Sequence, residues 1–356
     1  MGYRVIGLMS GTSLDGLDIA CCTFGQENGM WEYELVEGIT VPFPDELKSQ
    51  LRKAMDLSGH DLIMLDRHLG RWMGQEVKKV IEKTGFTPDL IGSHGHTIFH
   101  EPAKGLTYQI GYSPETVAVT GVPVISDFRG MDMSLGGQGA PLVPIGDQLL
   151  FSDMDYCLNL GGIANISFQE SGKRVAFDIC AANMVLNRLA SEAGEPYDRG
   201  GSMAASGQIN DELLKELNSL PFYAEPYPKS LGYEWVSENV FPLTDNQEIP
   251  LKDRLCTFCE HVGGQISAVV HRETWSDVRM LCTGGGTFND FLIKCIQNKT
   301  NVTIVKPDDR LIGYKEAIVF AFLAALRWKG EVNCLPSVTG ATESCSGGMI
   351  SPLLSS

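Results

Sequence analysis

The chain has 356 residues, 43% of them apolar, and its 28 basic against 44 acidic side chains give a formal charge of −16. This length exceeds what one compact core usually spans, so two lobes are expected. Without a Lys/Arg cluster dense enough to track a phosphate backbone, nucleic acid is not an expected partner.

Met1 leads directly into the apolar run 5–9, which ends in Ser-Gly and does not read as a secretory leader. No apolar stretch reaches membrane-spanning length, so no membrane association is expected. The ten cysteines show no regular disulfide framework, and Cys21, Cys22 and Cys157 sit in apolar strand-like runs, which fits a reducing cytoplasm.

In chain order, residues 3–9, 17–24 and 31–42 read as strands, with Asp15-Gly16 supplying turn chemistry. Apolar residues at three- and four-residue spacing predict helices over 45–56 and 60–84, followed by a strand at 90–93. A strand at 123–127 leads into the Gly-rich run 136–141, taken as the approximate hinge. The opening pattern then returns as strand 155–160, the turn Gly161-Gly162 and strand 163–168. Strand 174–178 precedes a helix over 182–193, and strand 278–283 ends at three glycines before a helix near Asn289. A helix over 314–328 closes the pattern ahead of an irregular tail. Alternating strands and helices imply largely parallel sheet in the second half.

Three loops carry candidate chemistry. Ser10-Gly11-Thr12-Ser13-Leu14-Asp15-Gly16 joins two strands with small residues, hydroxyls and one carboxylate, which suits backbone N–H contact with phosphate oxygens. It is not a Walker A loop, because it has no lysine and enters a strand, so the cation must come from a metal, with Asp15 the candidate to hold hydrated Mg²⁺. An ordinary Asp-Gly hairpin turn reads equally well for this loop alone. Asn159, Gly161, Gly162 and Asn165 form a second close-approach loop, and Gly284, Gly285 and Gly286 lie where a strand meets a helix. Asp178 ends the strand 174–178, where it reads as a general base or as a helix N-cap.

Paired strand-loop-strand segments with a later Gly-rich strand-to-helix turn resemble the superfamily of sugar kinases, actin and chaperone ATPases. That resemblance implies a two-lobed actin-like ATPase, or ribonuclease H-like, α/β fold with the nucleotide in an interlobe cleft. The lobes are expected at 1–128 with a tail of about 340–356, and at 129–340. Leu8 to Asp18, Gly92-Ser93-His94-Gly95-His96-Thr97, Asp127-Phe128-Arg129, the run Gly136 to Pro144, Pro228-Lys229-Ser230, Ala205 to Asn210 and Asn333 to Ala341 are similar, in order, to the anhydro-N-acetylmuramic acid kinase family.

The family resemblance implies an ATP- and Mg²⁺-dependent enzyme in which water opens a 1,6-anhydro ring while the released O6 accepts the γ-phosphate, in peptidoglycan recycling. It implies Asp178 as the base, with Thr97, Arg129, Glu316 and Asn183 on the sugar. It places Ser10, Gly11, Thr12, Ser13, Asp15, Gly16, Asn159, Gly161, Gly162 and Gly284 to Gly286 around ATP, and it makes a homodimer plausible. One departure is Ile179-Cys180-Ala181-Ala182, where the family has a Gly-Pro-Gly run, and His96 also replaces a more usual Gln. These keep a different sugar or anhydrosugar open as substrate. An ATP-binding module without phosphoryl transfer, and a filament former, are the readings from other classes. Cys256 and Cys259 with His261 lack the second ligand pair of a structural zinc site. His94, His96 and His100 lack neighbouring carboxylates and read as hydrogen-bonding groups.

Overall fold

The computed structural model describes residues 2–11, 14–270 and 277–352. They divide into two compact units, 1–151 with 314–356, and 152–313.

The first unit is built on a seven-stranded sheet. β1 (Tyr3–Ser10), β2 (Leu17–Glu27) and β3 (Met30–Val41) form an antiparallel meander, while β4 (Leu90–Glu101) lies parallel to β1. The hairpin strand β5 (Leu106–Ile110) pairs with β4, and β6 (Val124–Ser126) runs parallel to β4 on its other edge. The central strands are buried on both faces, which is why they read as unbroken apolar runs rather than as alternation.

One face meets the helix Asp309–Lys329, which is buried without interruption from Ala317 to Leu326. The approach is close enough that a Cβ on Gly7 would lie 1.9 Å from the carbonyl oxygen of Ala317, and one on Gly92 would lie 2.3 Å from that of Phe320. On the other face Ile6, Leu8 and Ile19 pack into a core with Leu69, Met73 and Val77 of the helix Gly59–Thr84. That helix starts where the Ser58 side chain accepts the N–H of Asp61, and ends at Gly85 in the left-handed region.

The second unit repeats the plan. β7 (Tyr156–Leu160), β8 (Ile163–Glu170) and β9 (Lys173–Ala181) are antiparallel, with β10 (Arg279–Thr283) and β11 (Thr303–Val305) parallel to β7 on its other side. Their core gathers Leu158, Ile166 and Met280 with the helices Asn183–Ser191 and Leu251–Val270. Numbered within its own unit, each sheet runs 5-4-1-2-3, and the first adds β5 and the closing strand β12 (Met349–Ser351), antiparallel to β6. This duplicated order is the actin-like, ribonuclease H-like arrangement.

Several expected boundaries move. From sequence the division is expected at 128/129 and about 340, whereas packing sets it at 151/152 and 313/314. The helices Val143–Leu150 and Asp309–Lys329 explain the shift, because a buried Lys315 to Asp147 ion pair of 2.7 Å joins them. The Gly-rich run 136–141 lies inside the first unit. The strand expected at 90–93 continues to Glu101, because Gly95 at φ 76° lets the backbone bulge past the histidines without ending the pairing. Among the described residues no helix is long and apolar enough to cross a membrane, and the ten cysteines are buried and in no disulfide.

Candidate active site

In the first unit the Gly/Ser/Thr loop leaves β1 at Ser10, and Thr12 and Ser13 lie outside the described residues. Ser10 is buried, with its Oγ 2.9 Å from Nδ1 of His96, which ties the loop to β4. Leu14 adopts φ 58° and donates its N–H to the carbonyl of Gly11, turning the chain toward Asp15. Gly16 is required by close approach, since a Cβ there would sit 2.6 Å from the carbonyl of Val41.

Asp15 is exposed. Neighbouring Asp18 accepts the Thr40 hydroxyl at 2.6 Å, and its carboxyl is held above the usual range by desolvation, with the Asp15 charge adding to the shift. Two carboxylates that repel one another offer the hard oxygen donors that Mg²⁺ takes, so the donor chemistry fits that ion.

Arg129 is fixed by two neighbours. Its Nε and Nη2 lie 3.1 and 2.8 Å from Nε2 of His94, and Nη1 donates to the carbonyl of Gly139 at 2.6 Å. His94 in turn donates from Nδ1 to the carbonyl of Gly95 at 3.0 Å, which leaves Nε2 as an acceptor. Desolvation and the Arg129 charge push this imidazole down to about 3, so it is neutral at physiological pH. The hydrogen-bonding role expected of His94 thus has its partner in Arg129. Strand alternation would put His94 and His96 on one face, yet the bulge at Gly95 sends one to Arg129 and the other to Ser10.

Glu316 is solvent-accessible, and desolvation still lifts its carboxyl against the pull of Arg129 and Lys315. Arg129 and Glu316 are therefore electrostatic neighbours. Thr97 is half-buried on β4, across from Gln109.

In the second unit Asp178 does not end its strand. β9 continues to Ala181, and the register with β8 shifts so that Asn165 faces Asp178 while Ala164 faces Cys180. The helix begins only at Asn183, which removes the N-cap reading, and the bulge re-aims the carboxylate. Asp178 is half-buried, accepts the N–H of Leu231 at 2.8 Å, and donates its own N–H to the carbonyl of Lys229 at 3.1 Å. Lys229 is itself anchored to the carbonyl of Phe222 at 2.9 Å. The run 228–230 noted in the sequence is thus a strap over the candidate base. Desolvation raises the Asp178 carboxyl, opposed by the Leu231 hydrogen bond.

The glycine loops of this unit meet each other. Gly284 takes φ 83°, and a Cβ there would lie 2.6 Å from Oδ1 of Asn159 and 2.7 Å from the carbonyl of Leu160. Asn183 donates from Nδ2 to the carbonyl of Leu160 at 2.9 Å and borders Gly286. Asn159, Gly161, Gly162 and Gly284 to Gly286 therefore form one cluster, which Asn183, expected on the sugar, also borders. The carbonyls of Gly161 and Gly162 accept the N–H groups of Ala182, Asn183 and Met184, so this loop doubles as the cap of the next helix.

The departure at 179–182 is buried, Ile179 at 2% exposure and its three successors at 0%. Those side chains fill the core. His261 has both ring nitrogens engaged, by Asn218 and Tyr223, which removes it from metal binding with Cys256 and Cys259.

Two sheets of the same strand order, with glycine turns clustered at strand ends, define the class of actin-like ATPase folds that includes sugar kinases. Within it, the family model for anhydro-N-acetylmuramic acid kinase matches residues 3–353. The anhydro-N-acetylmuramic acid kinase of Aliivibrio fischeri is 35% identical over 98% of this chain and 99% of its own length. That of Bacillus thuringiensis subsp. konkukian is 34% identical over 96% and 97%. The chain belongs to the anhydro-N-acetylmuramic acid kinase family. A solved structure, the ADPNP-bound activator of the 2-hydroxyisocaproyl-CoA dehydratase from Clostridium difficile, is similar at 14% identity and a TM-score of 0.42, covering 92% of this chain and 97% of that one.

Proposed function

We propose that this chain is a cytoplasmic, ATP-dependent kinase that converts 1,6-anhydro-N-acetylmuramic acid and water to N-acetylmuramic acid 6-phosphate, in peptidoglycan recycling. Family membership over 3–353 carries the reading, and the strapped, half-buried carboxylate of Asp178 gives it a base.

In this mechanism Asp178 accepts a proton from water as its oxygen bonds to the anomeric carbon and the bond from that carbon to O6 breaks. O6 bonds to the γ-phosphorus, and the bond from that phosphorus to the bridging oxygen of ADP breaks. A carboxyl held above the ordinary range takes a proton more readily near neutrality than a solvated aspartate does. Arg129, with Glu316 and Thr97, holds the sugar. Neutral His94 and Gly139 fix the guanidinium so that little side-chain freedom is lost on binding.

The clustered loops of Asn159, Gly161, Gly162 and Gly284 to Gly286 hold the nucleotide, with Ser10, Gly11, Thr12, Ser13 and Gly16 at its phosphates. Asn183, which buttresses that cluster, also serves the sugar. Asp15, with Asp18, would hold Mg²⁺, which would offset phosphate charge. Because the substituted residues 179–182 are core, they act on the sugar only through the backbone, which favours the family substrate over another sugar.

The purified protein with ATP, Mg²⁺ and 1,6-anhydro-N-acetylmuramic acid should release ADP and yield the ring-opened 6-phosphate by mass and NMR. ADP release without that product would overturn the substrate, and no sugar-dependent release would overturn the kinase reading.

A further inference from the structure

We propose that Cys334 and Cys345 form a reversible disulfide, an oxidative modification site whose state is transmitted through Asp132 and Gly139 to Arg129. The two cysteines face each other across an antiparallel bridge, where the N–H groups of Asn333 and Cys334 both donate to the carbonyl of Cys345, at 3.0 and 3.2 Å. Residues so opposed bring their Cα atoms to roughly 4.5–5.5 Å, inside the window of about 4.4–6.8 Å that a disulfide spans. Both sulfurs and a carboxylate oxygen of Asp132 lie within 4.8 Å of one another. Closing the bond asks for side-chain rotation and little backbone movement.

The pair sits behind the arginine assigned to the sugar. Asp132, wholly buried, accepts the Thr339 hydroxyl at 2.7 Å and the N–H of Gly139 at 2.8 Å, and the carbonyl of Gly139 takes Nη1 of Arg129 at 2.6 Å. A bond between residues 334 and 345 would close a ring containing Thr339 and pull on that hydrogen bond to Asp132. Both oxygens of Asp132 are already hydrogen-bonded, which favours thiol chemistry here over capture of a cation.

The oxidant is a hydroperoxide. One thiolate attacks the peroxide oxygen to give a sulfenic acid, releasing water or an alcohol, and the second thiol displaces water from that sulfur. Two thiols are oxidised and one peroxide is reduced. Cys334 is 2% exposed and Cys345 8%, so Cys345 is the entry point. Burial raises both thiols, so each is protonated and slow to react near neutrality, and oxidation quickens only toward alkaline pH.

The effect on the sugar rests on the role proposed for Arg129; formation of the bond does not. The full-length protein would be treated with hydrogen peroxide at mildly alkaline pH and mapped by non-reducing peptide mass spectrometry. A 334–345 crosslink that dithiothreitol reverses is expected, with a rise of about fivefold in KM for the sugar. Oxidised Cys345→Ser should show neither change. Absence of that crosslink in wild type would overturn the site, as would a thiolate-to-metal absorption on Cd²⁺ titration together with resistance to peroxide. A crosslink without a KM change would overturn the transmission if Arg129→Lys still raises KM. If Arg129→Lys also leaves KM unchanged, the Arg129 role is what fails and the modification site stands.

Discussion

Asp178 is pulled two ways: desolvation lifts its carboxyl while the Leu231 N–H lowers it, with desolvation dominant. A base must be ionised, so kcat/KM should fall on acidification through a value above the ordinary aspartate range of about 3.9. Asp178→Asn keeps an acceptor for Leu231 but removes basicity, and kcat should drop by about 10²- to 10⁴-fold. Because the folded carboxyl is raised above its unfolded value, its ionised form opposes folding above that unfolded value. The Asn variant should therefore unfold at the same or a higher temperature at neutral pH. Near-wild-type turnover would remove Asp178 from the chemistry, and a lower melting temperature would show that the carboxylate stabilises the fold.

His94 makes the opposite kind of statement. Its folded value is depressed to about 3 against 6.5 for the free group, so in that window the unfolded chain binds a proton that the native imidazole refuses. Its contribution is intact above 6.5 and declines as pH falls toward 3. Relative to His94→Gln, wild type should lose stability more steeply in acid, approaching one proton or about 1.4 kcal/mol per pH unit below 6.5. Urea unfolding of both proteins from pH 7.5 to 5 measures this, and parallel curves would mean that His94 titrates freely in the native state. Neither histidine partner was readable from the chain, because Arg129 lies 35 residues away in sequence and no local period encodes such a contact.

At the scale of elements, legibility followed local chemistry. The meander β1 to β3 and the helix Gly59–Thr84 were readable because apolar periodicity, Ser58 and Gly85 all act over a few residues. The extension of β4 was not, since His94, Gly95 and His96 look like a loop until Ser10 and Ile110 pair with the strand on either side. The seating of the helix Asp309–Lys329 on β1 and β4 is also non-local, yet it leaves a trace as the glycines at 7 and 92. Gly7→Ala would push a methyl into the Ala317 backbone, which cannot swing aside, and should destabilise by about 1–3 kcal/mol or more. Gly25→Ala, on β2 with nothing within 4 Å of its Cβ, is the control expected to be neutral or slightly stabilising. Equal denaturation midpoints for the two variants would mean that the helix does not rest on those glycines.

For the whole molecule, the repeat of strand, glycine turn and strand in each half was legible as an echo. The division into units was misplaced because the Gly-rich run 136–141 looks like a hinge. It is instead held by Asp132, Thr339 and Arg129, and Asp132 and Thr339 are 207 residues apart in sequence.

The property most directly set by composition is charge. At −16, mutual repulsion among carboxylates opposes the compact state and is long-ranged, so salt should relieve it. Exposed ion pairs such as Arg71 to Glu115 and Arg279 to Asp153 are screened by the same salt, but each contributes only about 0–1 kcal/mol. Repulsion summed over the surface should win, and raising NaCl from about 10 to 150 mM, across which the Debye length shortens from roughly 30 to 8 Å, should stabilise the fold by the order of 1 kcal/mol, or roughly 2 °C in melting temperature. Scanning calorimetry in NaCl against an osmotically matched sugar separates screening from exclusion of cosolute. A melting temperature that falls with NaCl would mean that the surface pairs outweigh the net charge.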